Sequence, residues 1–155
     1  MKTPAAIAVV TLAVAVPAFA LTPVLFPPSP HMSPAVTQVP FFVLLGGINA
    51  MALGLGVAFL MFGLPAIRRL VPSTSGRAVA VYLAIAWLLM SWYPHGGLHA
   101  SNGMDAGPLL WIEYGFHLPL IVAPLVLIWA LTDARSRPRS TQPSDAAGGT
   151  DAEVH

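Results

Sequence analysis

Between Pro94 and His117 the chain reads PHGGLHASNGMDAGPLLWIEYGFH. Three of its five histidines (His95, His99 and His117) and two of its six acidic residues (Asp105 and Glu113) fall in this one stretch. Imidazole and carboxylate together suit a transition metal: zinc, iron or copper. His95 and His99 are spaced i, i+4, as are Glu113 and His117, and on a helix each such pair shares one face. A centre of three histidines, or of two histidines and one glutamate, that keeps a coordination position open activates water, with Glu113 as ligand or general base. Asn49 and Asp105 are candidates to orient a ligating histidine through its second ring nitrogen. Met32, Met90 and Met104 offer thioethers that would favour Cu(I), although methionine is also ordinary apolar filler. A b-type haem held between His99 and His117 is a narrower version of the cofactor reading. The plain alternative is a non-catalytic membrane or assembly component, whose histidines and glutamate form a hydrogen-bonded network that only holds helices together.

The rest of the chain is membrane-grade sequence. Of 155 residues, 56% are hydrophobic and 8% charged, against about 25% charged in an average soluble domain. That shortfall implies an all-α integral membrane protein of one small helical bundle. The net charge of +1 gives no footprint for nucleic acid. Without cysteine, disulfides, thiolate metal sites and cysteine nucleophiles are excluded. No phosphate-binding loop and no serine nucleophile elbow is present. The histidine boxes of membrane hydroxylases and the Glu-x-x-His pairs of soluble di-iron bundles are also absent.

Hydropathy and prolines divide the chain into four expected spans, at about 5–26, 41–64, 78–93 and 108–131. The first begins after Lys2 and also resembles a secretory leader, with Ala18-Phe19-Ala20 as the cleavage site; cleavage there would leave three spans. Pro17 is expected to kink the helix if it stays. Residues 27–40 are too rich in proline for helix, and carry His31 and Met32. Along 41–64, Gly46, Ala50, Gly54 and Ala58 form a ridge of small residues that lets another helix approach closely, within the chain or in a homo-oligomer. Asn49 lies beside it. The third span is short, and either stops at Tyr93 or continues towards His99. Trp87, Trp92 and Tyr93 read as interfacial aromatics. Gly96-Gly97 argues against helix at 94–100, so 94–107 is expected to be a loop or a broken helix. Pro119 and Pro124 should distort the last span, and 132–155 reads as a disordered tail.

The basic residues set the orientation. Lys2, the loop with Arg68, Arg69 and Arg77, and the segment with Arg135, Arg137 and Arg139 all fall on one side of a four-span chain. The loops at 27–40 and 94–107 carry no Lys or Arg. The positive-inside rule then gives cytoplasmic N- and C-termini in the plasma (cytoplasmic) membrane, with the histidine-rich stretch facing outward and the lipid bilayer as partner. A reporter fused after Thr132 is expected to read the cytoplasmic compartment. An external signal there would reverse this topology.

Overall fold

The computed structural model describes residues 3–30, 35–71, 75–103 and 105–136. His31, Met32, Met104 and residues 137–155 of the tail, His155 among them, lie outside these residues. The described chain is an all-helical bundle with four helical stretches long and apolar enough to cross a membrane: Pro4–Leu25, Val36–Phe62, Gly76–Asn102 and Ala106–Ala130. The first is α1 (Thr3–Leu25), a single helix that runs on through Pro17 and Pro23. A short 3-10 turn at Val36–Gln38 leads into α2 (Val39–Phe62). Then α3 (Leu64–Leu70), opening on Pro65, leads to α4 (Ser75–Met90). The helices α5 (Trp92–Asn102), α6 (Ala106–Ile112) and α7 (Leu118–Ser136) complete the bundle, a π turn at Glu113–His117 linking the last two. Helix α7 thus carries through Thr132 to Ser136, where the sequence suggested the start of the tail.

Small residues decide how the first three long helices pack. Ala50 and Ala58 are buried, and the ridge they share with Gly46 and Gly54 is taken up inside the chain. The Phe19 ring lies over Gly46, and Gly54 faces the Thr11 carbonyl and the Ala15 methyl so closely that a Cβ there would overlap the Thr11 backbone. Backbone contact of this kind is what drives association where lipid removes the hydrophobic advantage. Helix α2 turns a second face to α4, with Gly56 against Met90 and Leu89. At the opposite end from the histidines, Ile67, Ala78, Val81 and Ala130 form a buried cluster with Phe59, Tyr82 and Leu127 packed on it. There the Tyr82 hydroxyl donates to the Leu60 carbonyl, and the Arg77 guanidinium lies 4.3 Å from the centre of the Trp129 ring.

The third span takes the longer of its two expected forms. Instead of ending at Tyr93 it continues as helix to Asn102, passing Gly96-Gly97. The junction at Ser91 keeps its backbone bonds, Ser91 N–H to Trp87 at 2.9 Å and His95 N–H to Ser91 at 3.1 Å. Proline at 94 has no N–H to give the Met90 carbonyl, which accounts for a turn there rather than an unbroken helix. Packing outweighs the low helix propensity of the glycines. A side chain at Gly97 would run into the Phe26 ring from the end of α1, and Gly96 lies against the Asn49 amide of α2. Tyr93 is buried rather than interfacial, and its hydroxyl donates to the Ala18 carbonyl of α1 at 2.6 Å. Past α1, the Ser29 N–H reaches the Ala100 carbonyl at 3.0 Å.

The close approach at Gly54 has a measurable consequence. Gly54→Ala is expected to lower unfolding stability in detergent by about 1–3 kcal/mol, the usual cost of forcing atoms into a packed contact. A Cβ added at Gly47 would meet nothing within 4 Å, so Gly47→Ala should be neutral or stabilising by up to about 1 kcal/mol. Equal effects from the two substitutions would mean that the α1–α2 contact at Gly54 contributes nothing to stability.

Candidate functional site

The extension of α5 places His95 and His99 on successive turns of one helix. Their Nε2 atoms are 3.0 Å apart, so one imidazole donates to the other. His95 is buried, and its ring meets those of His99 and His117 edge-on, with centroids 4.6 and 4.8 Å away. The second pair comes from the π turn. Glu113 Oε2 is ion-paired with His117 Nδ1, and Oε1 lies 3.6 Å from His99 Nε2. The four side chains therefore form one connected series, His95–His99–Glu113–His117, with the carboxylate joining α5 to the last span. Phe116 covers it from one side, with its ring 5.3 Å from that of His95 and stacked at 6.0 Å on Trp87.

The π turn has a sequence cause. Proline at 119 lacks the N–H that would bond the Gly115 carbonyl, and its ring crowds that oxygen. A wider turn relieves both, and such turns recur at functional sites. Pro119 was legible as a distortion in the sequence; that it widens the turn holding Glu113 and His117 was not. Phe116 and Tyr93 also escaped sequence reasoning, because aromatic residues in a spanning helix are usually lipid-facing or interfacial. Their one available signal was position, next to His117 and one turn before Gly97.

The remaining candidates are placed differently. Asp105 is the N-cap of α6, and its carboxylate accepts the Gly107 N–H at 3.2 Å. That is a helix-start role. Asn49 stands against Gly96 and lines, with His99, a cavity on the α1–α2 side of α5. Met90 packs on Gly56.

The separations bear on metal binding. Two ligands on one tetrahedral ion with bonds of about 2.0–2.1 Å stand about 3.3 Å apart. The two spacings around His99 Nε2, 3.0 and 3.6 Å, lie on either side of that value. Among the described residues, however, no group of three or more His, Asp or Glu side chains is already arranged to hold an ion. Loading a metal would break the His95–His99 hydrogen bond and draw the Glu113 oxygen inward. A haem between His99 and His117 would need the Glu113 carboxylate, which lies between those two rings, to move aside.

Fold and cluster together define a membrane-spanning helical bundle with a polar centre at one end. The chain matches no protein-family model, no curated protein and no solved structure.

The connectivity predicts energetic coupling. A double-mutant cycle of Glu113→Gln and His117→Ala, read by unfolding in detergent, should give an interaction energy of about 0.5–3 kcal/mol. The cycle of Glu113→Gln with His99→Ala should give a smaller value, since that contact is longer and His99 keeps its bond to His95. Additive effects in the first cycle would mean that the carboxylate does not hold the π turn.

Proposed function

We propose that this is a metal-binding membrane protein whose centre is made by His95, His99 and Glu113 and opens to the outer face of the plasma membrane. The observation that carries it is the pair of contacts at His99 Nε2, to His95 Nε2 at 3.0 Å and to Glu113 Oε1 at 3.6 Å. Two histidines and a carboxylate are a known ligand set for zinc and for non-haem iron, with copper as the further candidate. They leave a position open for water, so a metal-dependent hydrolytic or oxidative enzyme is the catalytic form of this proposal. His117 holds the other oxygen of Glu113, and acts as the group that orients a ligand. The outward placement follows from the positions of the seven basic residues.

The competing proposal is a non-catalytic component in which the same four side chains form a structural network. The hydrogen bond between His95 and His99 favours it, because it pairs one nitrogen of each ring without an ion.

Metal analysis of the detergent-purified protein, loaded in turn with Zn²⁺, Fe²⁺ and Cu⁺, separates the two. The metal reading expects one ion per chain, lost in His95→Ala and in His99→Ala. In His117→Ala affinity should fall about 10- to 100-fold. An ion binds the neutral rings, the proton between His95 and His99 moving to a ring Nδ1, so uptake should weaken as falling pH lets protons compete for the same nitrogens. The network reading expects no bound ion, with a loss of about 1 kcal/mol of stability for each histidine removed. Absence of metal together with unchanged stability would overturn both.

A further inference from the structure

On the α1–α2 side of α5 lies a cavity of about 410 Å³, within the size range of small-molecule sites. Phe26 and Phe42 give it apolar walls, Gly96 keeps its floor open, and Asn49, Tyr93 and His99 bring polar atoms to it. Among the described residues, no Lys, Arg, Asp or Glu lines it, so it suits an uncharged occupant. Its hydrogen-bonding capacity is specific. The hydroxyls of Tyr93 and Thr22 both donate to the Ala18 carbonyl, at 2.6 and 2.9 Å, which commits their protons and leaves only lone pairs for a guest. The Asn49 side chain makes no hydrogen bond among the described residues, and an amide offers both a donor and an acceptor. A polar side chain in a spanning helix with no partner is costly.

We infer that this cavity binds an uncharged, membrane-soluble molecule bearing a hydroxyl group, its hydrocarbon part lying along Phe26 and Phe42. A hydroxyl donates and accepts at once. It can take one Asn49 N–H and give its own proton to the Asn49 oxygen or to the lone pairs of Tyr93, so it uses a donor and an acceptor of the cavity together. A carbonyl compound would accept from Asn49 and leave the acceptors unused. Binding of this kind needs no metal. The ring of His99 borders the cavity while its Nε2 engages His95 and Glu113, so the occupant's oxygen would lie beside the polar centre.

The test is photolabelling of the full-length protein in proteoliposomes with 3-azioctanol, followed by peptide mapping. Label is expected within residues 42–49 and 93–100, and should be competed by unlabelled 1-octanol. It should fall about fivefold in Asn49→Leu, the equivalent of one hydrogen bond of about 1 kcal/mol. Gly96→Ala, which would set a methyl 3.1 Å from Asn49 Nδ2, should lower it as well and supplies a second variant if Asn49→Leu does not fold. Chelator-treated protein should label to the same extent. Label spread along the lipid-facing side of α7, indifferent to 1-octanol, would overturn the inference. So would full labelling of a folded Asn49→Leu protein.

Discussion

A carboxylate that takes one histidine from its own helix and reaches another on the neighbouring helix is the constraint around which the polar end of this bundle is built. Glu113 joins the last span to α5 through His117 and His99. In an apolar bundle such a group has few alternatives. It must be neutralised, hydrated or paired. Once Glu113 is fixed, His99 is held from two sides, and the position of His95 follows through the bond between the two rings. The half-exposed side chains of Glu113 and His117 contrast with buried His95.

Two prolines make that arrangement reachable. Pro94 removes a backbone donor just before the histidine pair, and Pro119 removes one just after the glutamate–histidine pair. Each defect is absorbed locally, as a turn at Ser91 and as the π turn at Glu113–His117. Helix continues on either side of both, as the membrane requires, because unsatisfied backbone in lipid is expensive. The site thus sits where the sequence has relaxed the helix, beside but not within the tightly packed α1–α2 contact. Rigidity comes from the glycine and alanine faces of α2; adjustable geometry comes from the prolines.

How much of this was legible in the chain depends on the physics of each signal. The four spans follow from composition and length alone, since a helix crossing lipid must be apolar for most of its length. The pairing of Glu113 with His117 was legible too, because an i, i+4 spacing stays close through small changes of helical pitch. Convergence of both pairs on one point was an expectation that the i, i+4 spacings made reasonable and that only tertiary geometry could supply. Between the two forms open to the third span, a stop at Tyr93 or continuation towards His99, local sequence could not choose, for a definite reason. Propensity scores Gly96-Gly97 as flexible chain, while the structure uses the missing side chains as space, for the Phe26 ring at Gly97 and the Asn49 amide at Gly96. Which of those two roles a glycine plays depends on residues some 50 to 70 positions away in sequence, and no local window contains them. Asp105 illustrates the converse: a residue whose type suits a helper of the metal site caps its own helix here, accepting the Gly107 N–H.

Helical geometry at Gly96-Gly97 changes what α5 is. As a loop it would have been a tether for two histidines. As a helix it is a partition with chemically distinct sides. His95 faces Phe116 and the last span, Gly97 faces α1, Gly96 faces the amide of α2, and His99 stands at the margin between them. A helix with bulky residues at 96 and 97 could not approach α1 and α2 this closely, and the cavity at Asn49 would be filled by its own wall. The glycines that weaken α5 as an isolated helix are therefore what allow one element to serve two compartments, a polar centre on one side and a mostly apolar chamber on the other. His99 belongs to both, its Nε2 engaging His95 and Glu113 while its ring forms part of the wall of the chamber.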